Sequence, residues 1–123
     1  MIILGASVLI AHLDGRDALH ARAEEELQAA AEEPFGSSTI TLAEVLVGPA
    51  RHDRLSIAAA AIEALGVAEI PLGADAPARL ARLRAQTGLQ LPDCCVLLAA
   101  QDAAARSILS FDERLVAAAE HVA

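Results

Sequence analysis

The chain has no lysine, tryptophan or tyrosine, two phenylalanines, and two cysteines that are neighbours, Cys94 and Cys95. Each scarcity excludes something. Without lysine a phosphoacceptor receiver domain is ruled out, since it needs one late in the chain. The Gly-rich phosphate cradle G-x-x-x-x-G-K-[ST] and the dinucleotide fingerprint G-x-G-x-x-G are both absent. Gly5-Ala6-Ser7 runs on into Val8-Leu9, so the nucleophile elbow G-x-S-x-G fails as well. Adjacent cysteines suit neither a disulfide nor a four-ligand metal site. They read as small buried hydrophobes in a helix, in a reducing compartment. No apolar run is long enough for a membrane span. The N-terminal stretch lacks a basic region and is broken by Gly5, Ser7 and His12, so no signal peptide is expected. A cytoplasmic protein is expected, with no membrane partner. All nine basic residues are Arg and the net charge is −8. A whole-protein basic field is therefore missing, and any RNA binding must use a local Arg patch or metal ions. The acidic balance suits a basic partner protein.

What is present is aliphatic. Of 123 residues, 55% are hydrophobic and 30 are Ala, the strongest helix former. The length suits one domain, taken as 1–123. Short apolar runs alternate with longer helical patterns. Strands are predicted at Ile2–Leu4, Ser38–Ile40, Val67–Ile70 and Ser107–Ser110, with a possible fifth beginning at His121–Ala123. Helices are predicted at Ser7–Leu13, from about Asp17 to Glu33, at Thr41–Ala50, roughly Asp53–Leu65, Ala76–Thr87, from Pro92 to about Ala105, and at Asp112–Glu120. Pro92 fits a first helical turn. This alternation predicts an α/β fold, a central parallel sheet of about four to five strands flanked by helices. In such sheets ligands bind at the carboxyl ends of the strands.

Three carboxylates fall near such positions: Glu44 after the second strand, Asp93 in a first helical turn, and Asp112 after the fourth strand. Carboxylates brought within a few Å repel, and hard oxygen ligands of this kind suit Mg2+ or Mn2+. Each also has a purely structural reading. Thr41-x-x-Glu44 is a capping box. Asp93 complements a helix dipole. Asp112 and Ser7 are each possible N-caps. Only the joint pattern favours a site.

That pattern resembles the PIN domain, and specifically the VapC-type ribonuclease toxins of bacterial toxin–antitoxin pairs. The segments that carry the likeness are IILGASVLIAHL, SSTITLAEVLVG, LQLPDCCVLLAA and ILSFDERL. The resemblance implies a PIN-like three-layer fold with four acidic residues around one or two Mg2+ or Mn2+ ions. It implies cleavage of RNA, tRNA or rRNA, a cognate VapB-type antitoxin that blocks the site, and a homodimer. Glu44, Asp93 and Asp112 match three of the family acids, and Ser7 matches the hydroxyl residue that accompanies the first. That first acid belongs at position 5, where this chain has Gly5. Gly5 is thus the position of a missing metal ligand, with metal binding weakened and cleavage strongly impaired. An engineered Asp-to-Gly change is favoured, because one base separates the codons and the rest of the motif is intact. The alternative is a naturally silent module that binds an antitoxin without cutting RNA. Arg114, beside Asp112, is the preferred phosphate contact, with Arg79 and Arg82 on one helical face as further RNA-binding candidates. Arg51, Arg54 and Arg84 are set behind them. Leu9, Leu13 and Leu46 are expected on a dimer or antitoxin surface. The four His residues show no ligand spacing.

Overall fold

The computed structural model describes residues 1–122. The elements run β1 (Ile2–Leu4), α1 (Ala6–Leu13), α2 (His20–Ala29), β2 (Phe35–Ser38), α3 (Thr39–Arg51), α4 (Leu55–Ala64), β3 (Val67–Ile70), α5 (Ala76–Thr87), α6 (Leu91–Asp102), β4 (Ser107–Leu109) and α7 (Glu113–Val122). The four strands form one sheet of order β3-β2-β1-β4, parallel throughout. Every connection is therefore a crossover through helices, which cover both faces.

β1 is central and buried on both sides. Its side chains alternate between the two faces. Ile2 and Leu4 belong to a core with Val8, Leu9, Ala23, Leu27 and Val45 from α1, α2 and α3. Ile3 belongs to the opposite core with Leu83, Leu97, Leu98 and Leu115 from α5, α6 and α7. α6 is buried along Cys94–Ala99, which explains an apolar run with little helical periodicity. Cys94 and Cys95 are free and buried, as small hydrophobes, and burial pushes both thiols up from their ordinary pKa.

Several boundaries depart from the sequence reading. The second strand is Phe35–Ser38 and not Ser38–Ile40. Phe-Gly-Ser-Ser has little strand character, yet all four residues are buried. Gly36 suits the crowding there: a Cβ would meet Met1 Sδ at 2.8 Å and the Cδ1 atoms of Ile3 and Ile70 at 3.2 Å, and those side-chain ends would have to shift. Ser37 is buried because its hydroxyl donates to the Leu4 carbonyl at 2.9 Å. Ser38, and not Thr41, caps α3: its Oγ accepts from the Thr41 N–H at 3.0 Å and bonds the buried Thr41 hydroxyl at 2.9 Å. The Thr41–Glu44 capping box is thus replaced by a cap three residues earlier. The helix expected over Asp17–Glu33 is confined to His20–Ala29, because turns occupy both ends. His121 and Val122 continue α7 instead of opening a strand, and Ala123 lies outside the described residues. Among the described residues no helix is long and apolar enough to cross a membrane.

Candidate functional site

The carboxyl ends of β1, β2 and β4 lead into Gly5, α3 and the turn Ser110–Asp112. α6 packs across the same sheet and against α3, and brings Asp93 in its first turn. Glu44 stands in the second turn of α3. The electrostatics link these groups in a row. Partial burial pushes the Glu44 carboxyl up, and the Asp93 charge adds to it. Burial likewise pushes Asp93 up, Asp112 adds to it, and Arg114 pulls it back. Asp93 is thus pushed up despite a helix N-terminus that would by itself favour its charged form. Glu44 stays open to solvent, which screens its share of the repulsion.

Asp112 is held by backbone. Its Oδ1 accepts from the N–H groups of Arg114 (3.0 Å) and Leu115 (3.2 Å), so it caps α7. Its own N–H donates to Ser110 Oγ at 3.0 Å. Ser7 does not cap α1, whose N-cap is Gly5. Its Oγ instead accepts from the Phe111 N–H at 2.8 Å and lies 3.3 Å from Ser110 Oγ. Two serines from different elements thus fix the turn that carries Asp112. Ser110 was not singled out from the sequence. The Ser110-Phe111-Asp112 spacing, a hydroxyl two residues ahead of the N–H it serves, was the available signal.

Gly5 is buried with φ −82° and ψ 166°, an extended conformation open to any residue. A Cβ at this position would stand 3.1 Å from both Cβ and Oγ of Ser110 and 3.6 Å from the Leu109 carbonyl. A side chain is admissible if Ser110 yields by a few tenths of an Å. The donor chemistry fits a hard divalent cation in kind, being all carboxylate oxygen. The number of gathered ligands falls short, since among the described residues no three His, Cys, Asp or Glu side chains are close enough to hold one ion. Position 5 directly follows the central strand β1 and carries no side chain.

The arginines separate clearly. Arg114 lies beside Asp112 and Asp93. Arg79 does not join the site: it donates to Asp102 at 2.6 Å and lies 3.8 Å from Asp75, at the end of α6 opposite Asp93. Arg82 is exposed on α5, with no tie to the three carboxylates among the described residues. Arg84 is engaged with the Leu89 carbonyl at 2.8 Å. A groove of about 920 Å³ starts at Glu44 and runs between α1, α3 and α4, past Ile10, Leu13 and Ile57 to Arg16 and Arg54. Leu9 cannot serve a surface, being wholly buried, and Leu46 packs against the same core. An apolar cavity of about 590 Å³ between α6, β4 and α7 opens at the amino end of β4 and contains none of the three carboxylates.

A parallel four-stranded sheet with carboxylates at its carboxyl end defines a class, and the comparisons place the chain within it. The PIN domain family model matches residues 2–121, and the chain belongs to that family. The structure is similar to that of Mycobacterium tuberculosis VapC20, a sarcin–ricin loop cleaving toxin, with a TM-score of 0.78, 21% identity and coverage of 96% of this chain and 95% of that one. It is also similar to a chain of a toxin–antitoxin complex from Klebsiella pneumoniae, with a TM-score of 0.76, 25% identity and coverage of 93% and 89%. No curated protein sequence matches significantly.

Proposed function

We propose that this fold is that of a VapC-type endoribonuclease toxin, dependent on Mg2+ or Mn2+, and that Gly5 disarms the chain as written. The observation that carries the reading is the gathering of Glu44, Asp93 and Asp112 toward the carboxyl end of the sheet, where burial first and mutual repulsion second push Glu44 and Asp93 up, beside a strand end without a side chain. Arg114 offsets this repulsion only in part, and a cation would use what remains. With Asp at position 5, Glu44, Asp93 and Asp112 would complete its ligand set. When bound, the ion supplies Lewis acidity and a water that is more easily deprotonated. Asp112 contributes a carboxylate oriented by the α7 cap. Ser7 and Ser110 hold that turn still. Arg114 offers its guanidinium to the RNA phosphate. Loss of a carboxylate from such a set costs at least the 10–100-fold seen for outer-shell partners.

The substrate class, tRNA or rRNA, is supported by the likeness to a toxin that cleaves the sarcin–ricin loop. A VapB-type antitoxin partner is supported by the likeness to a toxin–antitoxin complex. The groove that ends at Glu44 suits an apolar segment with a basic residue for the carboxylates. A homodimer is part of the same reading. The second reading, a silent antitoxin-binding module, is favoured by Gly5 itself. The test is RNA cleavage with Mg2+ and with Mn2+ by this chain, its Gly5→Asp form, and that form carrying Asp93→Asn. Cleavage by the Gly5→Asp form alone is expected. If none of the three cuts tRNA or rRNA, the silent module replaces the nuclease.

A further inference from the structure

We infer that Arg22, on the first turn of α2, is an RNA-phosphate contact held ready by Phe111. The inference rests on the nuclease reading above and extends its substrate-binding surface to a helix that the acidic motif does not include. The guanidinium carbon of Arg22 lies 4.7 Å from the centroid of the Phe111 ring. Phe111 sits in the turn between Ser110 and Asp112, and its N–H is fixed by Ser7 Oγ. The stack therefore sets a cation on the ring of the residue that precedes Asp112, the cap of α7.

Arg22 is also available. Its side chain is 60% exposed, and its Nε donates to Glu26 Oε1 at 3.3 Å, an exposed pair one helical turn on. The ring fixes the plane and Glu26 fixes the rotation. Both Nη groups are left without a partner among the described residues. By contrast Arg79, Arg84 and Arg106 are tied to Asp102, Leu89 and Glu33. Arg22 on α2 and Arg114 on α7 thus approach two consecutive residues of one turn, Phe111 and Asp112.

This answers a problem that the charge balance raises. A chain of net charge −8 with clustered carboxylates repels a polyanion, so productive RNA binding needs cations close to the reacting phosphodiester. A planar guanidinium stacked on an aromatic face keeps its outer edge free for bidentate contact with phosphate. The stack also lowers the rotamer entropy that an exposed Arg loses on binding.

The chain as written allows RNA affinity to be measured without cleavage. The experiment is fluorescence anisotropy with a labelled single-stranded RNA at several salt concentrations, for this chain and for its Arg22→Gln, Arg22→Lys and Phe111→Leu variants. Melting curves verify that each remains folded. Arg22→Gln is expected to weaken binding roughly three- to tenfold and to lower the salt slope by about 0.7, the loss of one phosphate contact to a single strand. Arg22→Lys keeps the slope and loses part of the affinity. Phe111→Leu behaves like Arg22→Lys, since the charge stays and its platform goes. In the Gly5→Asp background, Arg22→Gln raises KM more than it lowers kcat. Affinity and slope unchanged in a folded Arg22→Gln variant, with cleavage by Gly5→Asp intact, overturns the inference alone. No RNA binding and no cleavage by any form overturns it together with the nuclease reading.

Discussion

Replacing Gly5 by Asp is the most informative single change, because structure and chemistry predict opposite effects that one reagent separates. The backbone at Gly5 is extended and accepts any residue. The space is tight: the new Cβ meets Ser110 Cβ and Oγ at 3.1 Å. Ser110 is constrained, since its Oγ accepts from the Asp112 N–H at 3.0 Å. Overpacking costs about 1–3 kcal/mol, and Ser110 is only half-buried, which favours the low end. A new carboxylate beside an already acidic row adds repulsion. In a domain of this size each kcal/mol moves the melting temperature by about 3–5 °C. The metal-free Gly5→Asp form is therefore expected to melt roughly 3–10 °C below the chain as written. A cation at 100 times its Kd then restores about 2.7 kcal/mol, enough to cancel or reverse the loss. The assay is thermal unfolding by circular dichroism, in chelator and in Mn2+, for both forms. A Mn2+ shift of equal size in both, or none in the Gly5→Asp form, refutes the placement of a metal ligand at position 5.

The other predictions concern the same face. Glu44 and Asp93 have folded-state pKa values raised above the ordinary 4.5 and 3.8. Folding thus favours their protonated forms, so their penalty is present at neutral pH and is relieved as pH falls through the raised values. Urea unfolding from pH 7 downward should show this gain in the chain as written and lose most of it in Asp93→Asn. Glu33, held low by Arg106, works in the opposite sense, so the difference between the two forms is the quantity to compare. Asp112 has two roles that substitution separates: Asp112→Asn keeps a capping acceptor and stability, whereas Asp112→Ala loses about 1 kcal/mol. Both should abolish cleavage in the Gly5→Asp background. Ser38→Ala removes the α3 cap and the partner of the buried Thr41 hydroxyl, and should cost about 1–3 kcal/mol in urea unfolding.

Much of the fold was legible because the strongest signals were local. Ile2–Leu4, Val67–Ile70 and Ala76–Thr87 keep their expected bounds, since an apolar run, a turn residue or a capping Gly marks each edge. The errors fall where a tertiary contact overrides the pattern. Phe35–Ser38 forms a strand because its serines bond to β1 and α3, which no hydropathy pattern announces. Arg79 and Arg82 share a helical face, but spacing on α5 says nothing about which end of α6 that face meets, and Asp102 claims Arg79. Ser110 and Arg22 were invisible for the same reason: each gains its place from a residue far along the chain, Ser7 or Phe111.

The two buried glycines of the sheet show why such distinctions need coordinates. Gly36 and Gly5 are alike in sequence, each beside short apolar or small residues. At Gly36 a Cβ would press on Met1 and two Ile side chains, one of them on the central strand, and the nearest contact is 2.8 Å. Packing favours glycine there, since three side-chain ends would have to shift to admit a Cβ. At Gly5 the crowding comes from one half-buried serine, the torsions are ordinary, and the nearest groups are the Ser110 side chain and the Leu109 carbonyl. Packing does not demand glycine at the end of β1. The Ser7, Ser110 and Asp112 hydrogen bonds are complete beside it. The turn caps α7 and holds the Asp112 carboxylate still, so stability and, under the proposed function, chemistry on a bound phosphate both draw on it. Cleavage of RNA by the Gly5→Asp form would mark the glycine as a loss of function set into a site that is otherwise built.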